Sequence, residues 1–132
     1  MANVDNIDNQ VIDQAFSGQL SRPISPVASS DEITHRIISG EFKIAIYGLG
    51  HVGSPMASAW LRAGANVIGV DKSPVVVEEV TNGRSHLPEP GVSEAFSSGL
   101  MLNRFKIYSD PVQASRDSYF KMICVPVLLS EG

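Results

Sequence analysis

The sequence contains very little cysteine and no long apolar run. Cys124 is the only cysteine among 132 residues, which excludes an internal disulfide framework and a multi-cysteine zinc site. The longest nearly apolar stretch, residues 122–129, is too short to cross a bilayer. The first residues also lack the basic and apolar regions of a secretory signal peptide. These absences predict a soluble, cytoplasmic protein that does not bind a membrane.

Positive charge is scarce as well. Lys and Arg number 10 against 14 Asp and Glu, a net charge of −4, so nothing indicates a nucleic acid as the partner. The acidic excess is local, because residues 1–41 hold six acids and two bases whereas residues 42–132 are balanced. Hydrophobic residues make up 43% of the chain, enough for one packed domain. We therefore expect an acidic, partly helical arm over residues 1–41 and a globular domain over residues 42–132.

Within the arm, two short helical segments flank a linker. Apolar residues at helical spacing predict a first helix around Ile7–Ala15. Residues 21–30 contain two prolines and four serines, which oppose regular structure. The segment Ser29–Glu32 has the pattern of a capping box, and Gly40 suits the end of the helix that follows. The predicted apolar face of this second helix consists of Ile33, Ile37 and Ile38.

From Lys43 onward, short apolar runs alternate with helical patterns. The predicted strands are Lys43–Tyr47, Asn66–Val70, Phe105–Tyr108 and Tyr119–Val125. The predicted helices are Val52–Ala63, a helix capped by Ser73 that runs to Thr81, Val92–Ser98 stopped by Gly99, and a brief helix opened by Asp110 and Pro111. Such alternation is typical of a parallel sheet with helices on both faces, and right-handed crossovers give the strand order 3-2-1-4. The predicted fold is a Rossmann-like α/β domain that stops after its fourth strand.

A glycine-rich loop joins the first strand to the first helix of this domain. Residues Gly48–Gly53 read GLGHVG and match G-x-G-x-x-G, a pattern that gains meaning from the strand before it and the helix after it. Gly48 permits the tight turn, Gly50 lets the backbone approach a pyrophosphate, and Gly53 lets helix and strand pack closely. The N-terminus of the helix adds free N–H groups and a positive dipole end. The loop therefore predicts a dinucleotide site, with a ligand-free glycine turn as the alternative.

An acidic residue ends the second strand at the position where dinucleotide-binding domains recognise ribose. The carboxylate of Asp71 would accept hydrogen bonds from the ribose hydroxyls and repel a 2′-phosphate, which favours NAD over NADP. Lys72 stands beside it, and a base at that position can hold a 2′-phosphate, so NADP stays open as an alternative. A turn or helix-capping role for Asp71 is the simpler alternative.

The remaining reactive side chains predict no catalytic group and no metal site. Cys124 lies inside an apolar run, where a buried cysteine behaves as a small hydrophobic residue rather than a nucleophile. His35, His51 and His86 lack the spacing of metal ligands. His51 lies within the glycine loop, where lining the phosphate site is its expected role.

The chain resembles the UDP-glucose/GDP-mannose dehydrogenases from about residue 40 onward. Residues 39–55 are similar to the start of that family, and Val67–Asp71 resembles its second strand. Residues Gly83–Val92 match its G-x-S-x-x-x-E-P-G-L stretch, the most specific part of the resemblance. Tyr108–Asp110 and Ile123–Pro126 resemble its T-x-D and I-x-V-P segments. The lead-in to the first strand looks closest to the UDP-N-acetylmannosamine dehydrogenases.

This resemblance implies a cofactor, a reaction and a set of contacts. The family oxidises nucleotide sugars to uronic acids with NAD, and Val52, Asp71 and Ser109 match positions that touch NAD. Three departures stand out: Val125-Pro-Val-Leu replaces V-P-T-P, Val76 replaces a lysine, and Pro88 replaces an aromatic residue. The expected cofactor-binding residues are Gly48, Leu49, Gly50, His51, Val52, Gly53, Asp71, Lys72, Ser109 and Val125.

The nucleophile of that family is not found in these residues. Two successive oxidations of a primary alcohol need a thiol to hold the aldehyde level, and the family's thiol lies in a Gly-Gly-x-Cys segment further downstream. The prediction is therefore the NAD-binding portion of a dehydrogenase that converts a UDP-sugar to a UDP-uronic acid for polysaccharide biosynthesis, inactive as an isolated chain. The alternatives are a non-catalytic nucleotide-binding or interaction module, and a 3-hydroxyacid dehydrogenase-like domain with a similar stretch at Gly48–Ala57. The fourth strand has no fifth strand on its outer side among these residues, and such an exposed edge also predicts a homo-oligomer.

Overall fold

A four-stranded parallel sheet organises residues 28–126, the part of the chain that the computed structural model describes. Its strands are β1 (Lys43–Tyr47), β2 (Asn66–Val70), β3 (Phe105–Tyr108) and β4 (Phe120–Ile123). The helices of this part are α1 (Ser30–Ile38), α2 (Gly53–Arg62), α3 (Pro74–Thr81), α4 (Val92–Met101) and α5 (Pro111–Asp117). The order β3-β2-β1-β4 confirms the predicted Rossmann-like arrangement. The predicted helix at Ile7–Ala15, most of the linker and the residues after Pro126 lie outside the described range.

Successive side chains of the strands point to opposite faces of the sheet and pack into two apolar layers. In β1, Ile44 and Ile46 belong to the larger layer, which α2, α3 and α4 cover with residues such as Leu61 and Phe96. Ala45 faces the other side, where Ala114 of α5 packs against it. Helices α2 and α5 therefore lie on opposite faces of the sheet. The connections between strands change from one face to the other at the neighbouring strands β1 and β4. None of the helices in the described span is long and apolar enough to cross a membrane.

Two tyrosine hydroxyls fasten α5 to its face of the sheet. Tyr47 shares a hydrogen bond with Ser115 Oγ, at 2.5 Å between the oxygens, and Tyr108 donates to Asp117 Oδ2 at 3.0 Å. Burial, together with the hydrogen bond to Asp117, raises the pKa of Tyr108 above its ordinary value. Asp110 caps the start of the helix by accepting from the Val112 N–H at 2.9 Å, so the predicted helix start is confirmed.

One glycine that was expected to stop a helix lies inside it instead. The helix α4 continues through Gly99 to Met101, three residues beyond the predicted end at Ser98. A Cβ on Gly99 would stand 3.0 Å from Leu61 Cδ2 and 3.0 Å from Phe105 Cβ. The glycine therefore allows α4 to lie close against α2 and β3, and the prediction that it ends the helix is wrong.

The fourth strand is shorter than predicted and forms an edge of the sheet. It spans Phe120–Ile123 rather than Tyr119–Val125, and its last partner on β1 is Tyr47. Beyond Tyr47 the chain turns away at Gly48, whose φ is +96°, so β4 loses the neighbour that would extend it. Cys124 still donates its N–H to the Tyr47 carbonyl at 2.7 Å, but it lies past the strand rather than in its middle.

A buried arginine attaches α1 to the sheet. Ser29 caps this helix through the Glu32 N–H and Gly40 ends it at φ +84°, as predicted. The predicted isoleucine face is wrong in part, because Ile38 is 55% exposed while Arg36 is buried. Arg36 donates to Glu41 Oε1 at 2.8 Å, which raises its pKa, and its guanidinium lies 4.0 Å from the centre of the ring of residue 42. The ring of Phe42 also stacks on the ring of Tyr119, just before β4, with the two ring centres 4.2 Å apart.

Candidate functional site

The glycine loop lies at the carboxyl edge of the sheet, between the ends of β1 and β4. It leads from Tyr47 into α2, while β4 approaches the same edge from the α5 side. This is the position at which the connections change from one face of the sheet to the other. In open parallel sheets, ligands bind in the crevice at such a position.

The three glycines of the loop face different surroundings. A Cβ on Gly48 would lie 2.8 Å from the Cys124 carbonyl oxygen, and one on Gly53 would lie 1.6 Å from the Gly48 oxygen. Those two positions have no room for a side chain because backbone packs against them. Gly50 is different, since a Cβ there would meet nothing within 4 Å. The protein therefore leaves open space at the glycine that was expected to approach a pyrophosphate.

The loop that contains Gly50 also carries backbone N–H groups that are available to a ligand. Within residues 28–126, the N–H groups of residues 50–53 donate to no protein acceptor. Helix α2 begins at Gly53, so its dipole adds partial positive charge at the same place. Pro55 lies in the first turn, where its missing N–H leaves no hydrogen bond unmade. Free donors, open space and a helix N-terminus together fit a pyrophosphate.

Asp71 lies directly after β2 and binds the backbone on two sides. Its Oδ2 accepts from the Leu49 N–H at 2.9 Å and its Oδ1 accepts from the Ser73 N–H at 2.9 Å. Each carboxylate oxygen has a second lone pair, so both remain able to accept from a ribose hydroxyl. Ser73 is the N-cap residue of α3, as predicted, but its hydroxyl makes no capping hydrogen bond. Lys72 between them is exposed.

A hollow of about 380 Å³ extends from the loop to the end of β4. Val52 is 63% exposed and Val125 is 55% exposed, so both present apolar surface to it. Cys124 is half-buried and packs against the larger apolar layer, and it also lines this hollow. The residues around the hollow are Gly50, His51, Val52, Ile123, Cys124, Val125 and Pro126.

Two contacts at this edge were missed by the sequence analysis. His51 is 82% exposed, and its Nδ1 lies 4.0 Å from Glu89 Oε1, which brings the Glu-Pro-Gly turn next to the glycine loop. Ser54 is fully buried, and its hydroxyl donates to the Leu49 carbonyl at 2.8 Å. The family resemblance marked Glu89 as part of a motif but gave it no place in the site. No sequence signal distinguished Ser54.

The structure brings most of the expected cofactor residues to one edge. The loop 48–53 and Asp71 are in direct contact, and Val125 lies across the hollow from the loop. Ser109 follows β3, whose last residue Tyr108 lies beside Val70 on β2, so it reaches the same edge further from the loop. Ser109 and Lys72 are exposed, and within residues 28–126 neither forms a hydrogen bond with the loop.

The fold and this edge define the chain as a dinucleotide-binding domain of the Rossmann type. The model of the UDP-glucose/GDP-mannose dehydrogenase family, NAD binding domain, matches residues 42–130. The chain belongs to this family, and its cofactor is NAD.

Relatives of this chain are dehydrogenases of nucleotide sugars. GDP-mannose 6-dehydrogenase of Pseudomonas syringae pv. tomato is 36% identical over 83 residues, which are 63% of this chain and 19% of the relative. UDP-N-acetyl-D-mannosamine dehydrogenase of Pyrococcus horikoshii is 32% identical over 88 residues, covering 67% and 21%. The crystal structure of a ternary complex of GDP-mannose dehydrogenase from Pseudomonas aeruginosa aligns with a TM-score of 0.64 at 33% identity, covering 67% of this chain and 20% of that one. The chain thus spans about one fifth of the length of such relatives.

Proposed function

We propose that this domain is the NAD-binding portion of a cytoplasmic dehydrogenase that oxidises a UDP-sugar to a UDP-uronic acid for polysaccharide biosynthesis. The observation that carries the proposal is the open space at Gly50, in a loop whose N–H groups at residues 50–53 donate to no acceptor within residues 28–126 and whose Leu49 N–H donates to Asp71. Bound NAD would supply the oxidant for the sugar alcohol. The relatives are named as dehydrogenases of GDP-mannose and of UDP-N-acetyl-D-mannosamine, which supports a nucleotide sugar as the substrate class.

The cofactor contacts follow from the positions of the groups at this edge. The pyrophosphate would receive hydrogen bonds from loop N–H groups, and the adenosine ribose would donate to Asp71. The apolar side chains of Val52 and Val125 suit the half of the cofactor that carries the nicotinamide ring. We assign cofactor contacts to Gly48, Gly50, His51, Val52, Gly53, Asp71, Lys72, Ser109 and Val125. Leu49, expected among them, is fully buried with its N–H and carbonyl bound within the protein, so it supports the loop from beneath instead of touching the cofactor.

We further propose that residues 1–132 alone do not turn over a nucleotide sugar. The thiol that a two-step alcohol oxidation requires has to reach the substrate freely. Cys124 is half-buried against the apolar layer and packs on Gly48 and Gly53, so where it lines the hollow it lies beside the loop proposed to hold the cofactor and not at a substrate. The same observation favours a non-catalytic nucleotide-binding module as the second function, in which the site binds NAD without chemistry.

The proposed cofactor preference predicts tighter binding of NADH than of NADPH. Asp71→Asn should narrow the difference by about tenfold, because the substitution removes a charge-assisted hydrogen bond and the repulsion of a 2′-phosphate. Isothermal titration of both cofactors with both proteins measures the effect. Asp31→Asn, the same substitution at an exposed residue of α1 outside the site, is the matched control and should leave NADH binding unchanged. Equal affinities of the wild type for NADH and NADPH would contradict the role of Asp71, and no binding of either would contradict the function.

The exposed edge of β4 predicts self-association of the chain. Ile123 is 76% exposed at the end of β4, the edge strand of the sheet. The outer backbone groups of this strand can pair with another copy of the chain. We expect light scattering at micromolar concentration to give at least a dimer mass. Ile123→Lys should return it to 14.2 kDa, whereas Met101→Lys, at an apolar residue 86% exposed on α4, should not. A wild-type monomer would show that the open edge is tolerated.

A further inference from the structure

Leu49 is the residue of the glycine loop that the protein holds most completely. Its N–H donates to Asp71 Oδ2 at 2.9 Å, and its carbonyl oxygen accepts from Ser54 Oγ at 2.8 Å. Its side chain is fully buried in the larger apolar layer, where its Cδ1 would lie 3.0 Å from a Cβ on Gly69. Both backbone polar groups of Leu49 are thus bound by side chains, those of Asp71 and Ser54.

We propose that Ser54 and Asp71 are positioning residues that clamp Leu49 and thereby hold the glycine loop in its phosphate-binding shape. The proposal rests on the proposed function, because it takes the ligand of the loop to be the pyrophosphate of NAD. Asp71 would then have two roles. It binds the ribose directly, and through Leu49 it orders the loop that binds the pyrophosphate, which Asp71 itself does not touch. For Ser54 the proposal assigns a role where none was expected.

Ser54 determines which polar groups of the loop face the ligand. Its hydroxyl binds the Leu49 carbonyl, and its N–H donates to the Gly50 carbonyl at 3.0 Å. Both carbonyl oxygens are therefore occupied within the protein and do not oppose an anion at Gly50. Within residues 28–126, the N–H groups of residues 50–53 remain without an acceptor and are available to a ligand. A serine that is 0% exposed holds this arrangement without contact to solvent.

Asp71 acts on the pyrophosphate in two opposite ways, and their signs can be separated. As a negative charge near the loop, it disfavours an anion, so its removal would strengthen the binding of a bare anion. As one side of the clamp it orders Leu49, so its removal would weaken the same binding. Inorganic pyrophosphate occupies the loop but has no ribose, and its affinity therefore reports which of the two effects is larger.

The test is a titration of the ligand-free chain with inorganic pyrophosphate, followed through the amide shift of Gly50. We expect Ser54→Ala and Asp71→Asn each to weaken pyrophosphate binding by about tenfold, the effect of one lost hydrogen bond to a buried group. Ser58→Ala is the matched control. Ser58 is 1% exposed on the same helix, and its hydroxyl has no partner within the described residues, so its removal should leave the affinity unchanged.

Hydrogen exchange of the ligand-free proteins tests the clamp without a cofactor. The amide of Leu49 should exchange more slowly than that of Gly50, and about tenfold faster in Asp71→Asn than in the wild type. Wild-type affinity in Ser54→Ala, or tighter pyrophosphate binding by Asp71→Asn, would overturn the clamp. If the wild type binds neither pyrophosphate nor NADH while Leu49 exchanges slowly, the proposed function fails and the clamp stands. Ser54→Ala carries the test alone if Asp71→Asn does not fold.

Discussion

Gly50→Val is expected to abolish NADH binding while leaving the fold intact. The valine side chain would fill the space that is open at Gly50, where, among residues 28–126, only the adjoining residues of the loop lie within 4 Å of a Cβ. Gly50 does not have a positive φ, so the substitution introduces no backbone strain. Excluding the pyrophosphate removes at least two charge-assisted hydrogen bonds of about 1.5–3 kcal/mol each, which weakens binding by more than about 100-fold. Isothermal titration with NADH and circular dichroism measure the two outcomes.

Gly50→Ala provides a graded control for this result. A single methyl group should weaken NADH binding less than valine does, and the unfolding temperature should match that of the wild type. An affinity of Gly50→Val for NADH within about threefold of the wild-type affinity would contradict the binding of the pyrophosphate at Gly50. Loss of the folded state in Gly50→Val would contradict the open space that the structure places there.

Gly53→Ala is expected to fail for the opposite reason. Its Cβ would lie 1.6 Å from the Gly48 carbonyl oxygen, a distance that only a shift of the backbone can relieve. The cost should reach about 3 kcal/mol or more, at the upper end of the range for overpacking. For a domain of about 100 residues this lowers Tm by more than about 10 °C. Thermal unfolding followed by circular dichroism measures it.

The comparison between Gly53→Ala and Gly50→Ala separates packing from binding. The two proteins carry the same substitution three residues apart, yet only the first should unfold at a lower temperature. An unchanged Tm for Gly53→Ala would show that the loop adapts without cost, and would contradict the close contact between α2 and the end of β1. The Tm difference between Gly53→Ala and the wild type should persist in excess NADH, because binding stabilises both proteins and does not remove the clash.

Much of the fold could be predicted because local signals coincide with the elements. Each strand from Lys43 to Tyr108 is a short apolar run, and each helix from α2 to α5 begins at a glycine or proline or directly after a glycine. The strand order then follows from the handedness of the crossovers. The end of β4 was less accessible, because it depends on where β1 turns away at Gly48 rather than on the apolar residues of β4 itself.

The errors concern residues whose role depends on distant partners. Gly99 has the sequence signature of a helix end, but it lies inside α4. Its lack of a side chain lets the helix pack closely on Leu61 and Phe105. Arg36 looks like a solvent-facing residue until the ring at position 42 and the carboxylate of Glu41 lie beside it. In the site, the glycines and Asp71 follow a spacing that can be recognised. Ser54 follows none, because its function depends on the fold of the loop around it.

The arginine that attaches α1 has a consequence for transplanting this domain into another protein. The match to the dehydrogenase family begins at residue 42, yet the ring of Phe42 is covered from the other side by Arg36. A chimera joined at residue 42 would separate the two and leave an aromatic stack open to water beside Tyr119. The unit that can be exchanged between relatives therefore starts at the cap of α1, Ser29, about a dozen residues before the homologous sequence begins.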